Sequence, residues 1–281
     1  MADLLKKEQI QIQKTIWFFL LMSWIFRWWS GVLFYQLNNA PFVSVEADNT
    51  FWLFHALQFP YFSIHYFYIG IILDLLWLVF AIIGLTIKHN RIISTLMCLL
   101  FINYFITFNS VSTHHEHILT GLLFCIILLP IKDHKNFVLV FASIRFYAVF
   151  TMFSAGLWKV CRGSVVNPLQ MTEILKTQHL DYIVNYPESY YTNFINYLII
   201  NPNISNFFWH CSWLIEVAFI IGFLTRKFDK ILGIGILLFF FFNYLLMDLF
   251  FIEFCIFTIA FYPFKGVWDY YNTKLAISKS I

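Results

Sequence analysis

Charge is what this chain has least of. Only 12% of its 281 residues are Asp, Glu, Lys or Arg, against roughly 25% in soluble domains. That excludes a soluble globular fold, because the apolar surface far exceeds what a core of this length can bury. The sequence has no CxxC pair, no P-loop, no GxGxxG and no HExxH. These absences remove the usual signs of zinc ribbons, phosphate cradles and zinc proteases. One Gly-Ile-Gly, at Gly233 to Gly235, reads as helix packing. There is no clear internal repeat and no low-complexity tail. The net charge of +3 is mild and gives no sign of a nucleic-acid partner. The five cysteines lie mostly inside apolar runs and read as buried free thiols. Cys161 and Cys211 fall near one face, which leaves a disulfide between them open.

What is abundant is apolar and aromatic: 60% of residues are hydrophobic, and 36 are Phe. The fold class that follows is all-α, a polytopic transmembrane helical bundle. Eight apolar segments stand out, at 16–34, 64–87, 92–108, 118–131, 137–159, 207–224, 230–247 and 249–264. A span needs about 20 residues. The fourth and eighth are short, so each is tilted, shielded by neighbours or re-entrant. The last two also read as one broken helix.

Residues 1–15 are polar and basic and lack the layout of a cleavable signal peptide, so the first helix is expected to be an uncleaved anchor. Lysines and arginines recur at every second connection. Examples are Lys6, Lys7 and Lys14, then Lys88 and Arg91, Lys132 and Lys135, Arg226 to Lys230, and the 265–281 tail. This is the positive-inside pattern. It places both termini in the cytoplasm and requires an even number of spans. The Phe-, Ile-, Asn- and Lys-rich composition hints at an AT-rich bacterial genome, hence a bacterial inner membrane. The outer connection 160–206 is long and holds Pro168, Pro187 and Pro202. It is expected to be a lid or binding loop with a short helix over 172–177. Asn203-Ile204-Ser205 is a glycosylation sequon by pattern, relevant only in a eukaryotic host.

That topology collects reactive residues on the outer face. His114, His115, Glu116 and His117 open the fourth segment. Lys159 ends the fifth, Asp248 ends the seventh and Glu253 opens the eighth. A lysine at a helix end either snorkels to the interface or serves as a base. The histidines can be a metal site, a polar cap, or the source of one acid, base or hydrogen-bond donor. His114 and His117 share a helix face while His115 points elsewhere, so no metal is expected. Deeper in the membrane, Arg27, Asp74, Arg145 and Glu216 read as paired ions facing the bundle interior, with their pairing left open. Asp248 and Glu253 read as interfacial carboxylates.

Three stretches resemble the membrane domain of vitamin K-dependent gamma-carboxylases, also called the horizontally transferred transmembrane domain. They are His117 to Leu123, Ala155-Gly156-Leu157-Trp158-Lys159-Val160, and Leu214-Ile215-Glu216. The similarity covers about 91–264. It implies that Lys159 is the base toward a lipid-soluble quinol, vitamin K hydroquinone. Oxygen then adds, a substrate glutamate loses a proton, and carbon dioxide traps the carbanion. His117 would stabilise charge in that second stage. His114, Glu216, Asn243, Asp248 and Arg145 would support the site, and no metal is required.

There are departures. The chain runs about 17 residues past its last apolar segment, so the resemblance is to a short form without the lumenal domain. Asn243 stands where the family has a histidine. The leading reading is a carboxylase-like membrane enzyme acting on a peptide. The alternative is a non-catalytic maturation or immunity partner of a secreted peptide, with 160–206 as its binding surface. A transporter is a third reading, disfavoured by the lack of an inverted repeat.

Overall fold

The computed structural model describes residues 2–38, 49–87, 90–111, 120–247, 249 and 252–275. Among the described residues every regular element is a helix. Lipid offers the backbone no hydrogen bonds, and a helix satisfies its own. Among the described residues, five helical stretches are long and apolar enough to cross a membrane: Phe67–Thr86, Arg91–Val111, His134–Cys161, Pro202–Leu224 and Asp229–Met247. The chain is a multi-pass helical membrane protein. These five carry the expected second, third, fifth, sixth and seventh segments.

The other three segments take other forms. Segment 16–34 falls mostly in α1 (Ala2–Trp29), which starts well before it and ends short of it. The first half of α1 is polar, which lowers the mean hydropathy of the whole helix. Segment 118–131 is regular helix only over α6 (Thr120–Ile126). After α6 the carbonyls of Leu128, Leu129 and Ile131 are taken by Gln13 Nε2, and Ile131 also by Gln9 Nε2. Two glutamines one turn apart on α1 thus replace the helical bonds that the chain gives up there. Segment 249–264 forms a 3₁₀ helix, Ile252–Phe261, of 10 residues. At about 2.0 Å per residue it reaches about 20 Å, short of a hydrocarbon core of about 30 Å.

The chain divides into two compact units. The first comprises Met1–Ile144, Ile252–Ile259 and Pro263–Ile281. It contains α1, α2 (Asn49–Leu57), α3 (Phe59–His65), α4 (Phe67–Thr86), α5 (Arg91–Val111) and α6, with the start of α7 (His134–Cys161). Its aromatic core is edge-on: Trp77 meets Phe101 at 5.3 Å and Tyr104 at 4.9 Å between ring centres. Arg27, in the last turn of α1, donates from Nε to Glu253 Oε1 at 2.8 Å. Ser23, one turn earlier, donates to the same oxygen at 2.7 Å. The Arg27 guanidinium lies 4.4 Å above the Phe108 ring. Glu253 is therefore a buried structural partner, 1% exposed, and not the interfacial carboxylate expected. Asp74 accepts from the backbone N–H groups of Phe34 and Tyr35 and so holds the turn after α1. Gly70, one turn before Asp74, gives that turn room: a Cβ there would stand 2.9 Å from the Tyr35 backbone.

The second unit comprises Arg145–Phe251 and Ala260–Tyr262. Here the expected outer loop is itself helical, in α8 (Gln170–Gln178), α9 (Leu180–Asn185) and α10 (Tyr190–Ile200). The short helix foreseen over 172–177 lies within α8. Ser189 caps α10 by accepting from Thr192 N–H at 3.0 Å. Pro202 opens α11 (Pro202–Ala218), a position that needs no backbone donor. It starts that helix earlier than the apolar run alone suggested. A short helix α12 (Ile221–Leu224) leads to α13 (Asp229–Met247). Met171, Leu175, Ile195, Leu198, Trp209 and Leu246 form a core joining α8, α10, α11 and α13. His179 and Tyr191 donate to the carbonyls of Leu246 and Leu245, groups that the end of α13 leaves unpaired.

Candidate functional site

Lys159 sits in the last turn of α7 because the helix stops just beyond it. Gly163 adopts a left-handed backbone, φ +70, which glycine takes at no steric cost. The Ser164 N–H and hydroxyl then both donate to the Lys159 carbonyl at 3.0 Å. The Ser164 carbonyl in turn accepts from the Trp209 indole N–H at 3.0 Å. Trp213, one turn along α11, donates to the Gly156 carbonyl at 3.2 Å. Two indoles thus stitch α11 to the end of α7.

Gly156 permits that approach. A Cβ on it would stand 2.9 Å from Val217 Cγ2 and 3.0 Å from Glu216 Cβ. With the helices this close, Lys159 Nζ donates to Glu216 Oε1 at 2.8 Å. The side chains are 19% and 2% exposed. Lys159 Nζ also lies 4.4 Å from the Trp209 ring centre and 6.0 Å from that of Phe239, within reach of the ring quadrupole. Glu216 Oε2 is buried and has no hydrogen-bond partner among the described residues.

Trp209 and Phe239 also line a cavity of about 190 Å³. Its other walls include Phe207, Phe242, Ile215, Leu246 and Asn243, so it is almost wholly apolar. An apolar cavity of about 150 Å³ admits benzene, so an aromatic ring fits here. Asn243 supplies a polar edge, with its Nδ2 donating to the Phe239 carbonyl at 2.7 Å.

Of the expected site residues, the structure brings Lys159 and Glu216 into contact, and Asn243 onto the wall of the adjoining cavity. Arg145 lies elsewhere. It is 14 residues before Lys159 in α7, about 21 Å along the axis at 1.5 Å per residue. Its guanidinium bonds Asp229 through Nε at 3.0 Å and Nη2 at 2.5 Å, and the Gly222 carbonyl through Nη1 at 3.0 Å. That is a clamp on the α12–α13 connection. His114, His117 and Asp248 lie outside the described residues. Cys161 and Cys211 are both free thiols, so the disulfide left open does not form.

Sequence reading missed Trp209 and Phe239. One signal was present: Trp209, Trp213 and Glu216 fall at i, i+4 and i+7 of one helix and so share a face. No family model matches the chain, and no curated protein or solved structure gives a significant match.

Proposed function

We propose that the second unit is the reaction site of an integral membrane enzyme that uses Lys159 as a base on a lipid-soluble aromatic acid. The substrate in this reading is a quinol such as vitamin K hydroquinone, and the product is a modified peptide. The observation that supports this is the Lys159–Glu216 pair set beside an aromatic cavity. A buried charge is costly unless paired, and a lysine, unlike an arginine, can give up its proton. Transfer of the proton from Lys159 Nζ to Glu216 creates no net charge and leaves a neutral amine. That amine can take one proton from a hydroxyl in the cavity and become the ammonium again, beside the negative charge it has made. Trp209 and Phe239 cover part of the amine and favour its cationic form once the proton has moved.

A quinol, when bound, would supply that acidic hydroxyl and the redox chemistry that follows. The apolar cavity, with room for one aromatic ring, supports this reading. Asn243 would meet its polar edge. His117, by the resemblance, would stabilise charge at the second stage. The site would face away from the cytoplasm and both termini would face it, across eight segments of which some do not cross fully. The membrane would be the inner membrane of a bacterium.

A second reading has its own observation. In the 160–206 stretch, Val166, Leu180, Val184, Tyr190 and Ile200 are all more than 60% exposed. Such a surface would suit an apolar secreted peptide held without chemistry.

The test is epoxide formation from vitamin K hydroquinone and oxygen by the protein in lipid nanodiscs, read by mass spectrometry. Wild type should form epoxide, and Lys159→Ala should not while remaining folded. Crosslinking of 160–206 to a peptide, with full maturation by Lys159→Ala, would sink the enzyme reading in favour of the second.

A further inference from the structure

The first unit holds a cavity of about 450 Å³ with no part in the chemistry above. Lys6, Ile10, Gln13, Lys14 and Trp17 of α1 line one side of it, and Ile87 at the end of α4 lines the other. The five α1 positions fall on one helical face. Because α4 is long and apolar enough to span, its end marks a membrane–water boundary.

The charges there are unbalanced. Lys14 Nζ donates to the carbonyls of Gly84, Leu85 and Ile87, at 2.9 Å to the first and 3.0 Å to the last. It therefore stands where the carbonyls at the end of α4 carry partial negative charge. Burial lowers its pKa from the usual lysine value, because the ammonium has lost part of its hydration. Lys6 is exposed. Among the described residues no carboxylate lies within ion-pair distance of either lysine. The Gln13 amide is already committed to carbonyls. Two cations thus line a cavity whose other walls are Ile10, Trp17 and Ile87, with Gln13, Gly84 and Thr86.

We propose that this cavity binds an anionic phospholipid. Lys6 donates to its phosphate. Lys14, whose three N–H groups are taken by the carbonyls at the end of α4, adds only its charge. An acyl chain runs along Ile10, Trp17 and Ile87. A free phosphate shares the headgroup chemistry, but it would leave the apolar wall without use. The inference is independent of the role given to Lys159.

The full chain, purified in detergent, is titrated with phosphatidylglycerol, phosphatidylcholine or inorganic phosphate, and bound species are counted by native mass spectrometry. Phosphatidylglycerol should bind at least fivefold more tightly than phosphatidylcholine. Lys6 makes no hydrogen bond or ion pair among the described residues, so Lys6→Gln should keep the fold. It should weaken phosphatidylglycerol about fivefold, the effect of one lysine near an anionic headgroup. Lys7→Gln, an exposed neighbour outside the cavity, should change nothing. Ile10→Ser should also weaken the lipid. Equal losses in Lys6→Gln and Lys7→Gln would mean diffuse surface attraction and overturn the site. Equal binding of the two lipids would do the same. Inorganic phosphate that binds alone, depends on Lys6 and blocks phosphatidylglycerol would overturn the lipid and leave a free-anion site.

Discussion

The Arg27–Glu253 pair of the first unit and the Lys159–Glu216 pair of the second share nearly the same geometry. Each has its nitrogen 2.8 Å from a glutamate oxygen. Each cation lies 4.4 Å from an aromatic ring centre, Phe108 in one case and Trp209 in the other. In each pair the second glutamate oxygen has no hydrogen-bond partner among the described residues. Pairing alone therefore does not separate a brace from a proposed reaction site. Four other features do. Arg27 carries a group that stays protonated in proteins, and Ser23 adds a second donor to its carboxylate. Lysine is a residue type that can give up its proton, and Lys159 is the more exposed cation of the two and sits beside aromatic rings that line a cavity.

This contrast can be broken by substitution. In stability the largest effect is expected from Arg27→Ala. It leaves Glu253 buried without its ion partner, which should cost about 3–5 kcal/mol. Unfolding in mixed micelles would measure it, and a loss below 1 kcal/mol would undo the description of this pair as a brace. Gly156→Val comes next. Its side chain meets Val217 and Glu216, and forcing the helices apart should cost about 1–3 kcal/mol. The same change should cut turnover, because it separates Lys159 from its carboxylate. A Gly156→Val protein with native stability would show that the close approach is not required. Asn243→Ala is the mildest. It removes one hydrogen bond to the Phe239 carbonyl, at about 1 kcal/mol. Its larger effect should be on ligand affinity, read by a binding isotherm with an aromatic quinone analogue.

Much of this was legible in the sequence. The apolar runs marked the five helices that are long enough to span among the described residues, because length and hydropathy suffice where lipid is the solvent. The short fourth and eighth runs were marked by their length, but their form was not. Whether a short run tilts, unwinds or becomes 3₁₀ depends on partners such as Gln9 and Gln13, far away in the chain. Lys159 and Glu216 stood out as charges in apolar surroundings. Their contact did not, since 57 positions separate them and only the α7–α11 approach at Gly156 joins them. Glu253 was misread for the same reason: its partner Arg27 is 226 positions away. The helical form of 160–206 was hidden by its prolines and polar residues, although Ser189 and Pro202 are ordinary helix starts.

The most direct measurement is turnover of Lys159→Arg in nanodiscs, at equal folded protein, with vitamin K hydroquinone and oxygen. Arginine keeps the positive charge opposite Glu216 and the ring contact with Trp209, but it cannot act as a base at neutral pH. Loss of product by a factor of about 10²–10⁴, the usual contribution of a positioned base, with stability unchanged, is the result this account predicts. Lys159→Arg protein that turns over like wild type would contradict it, and Lys159 would then be a brace like Arg27.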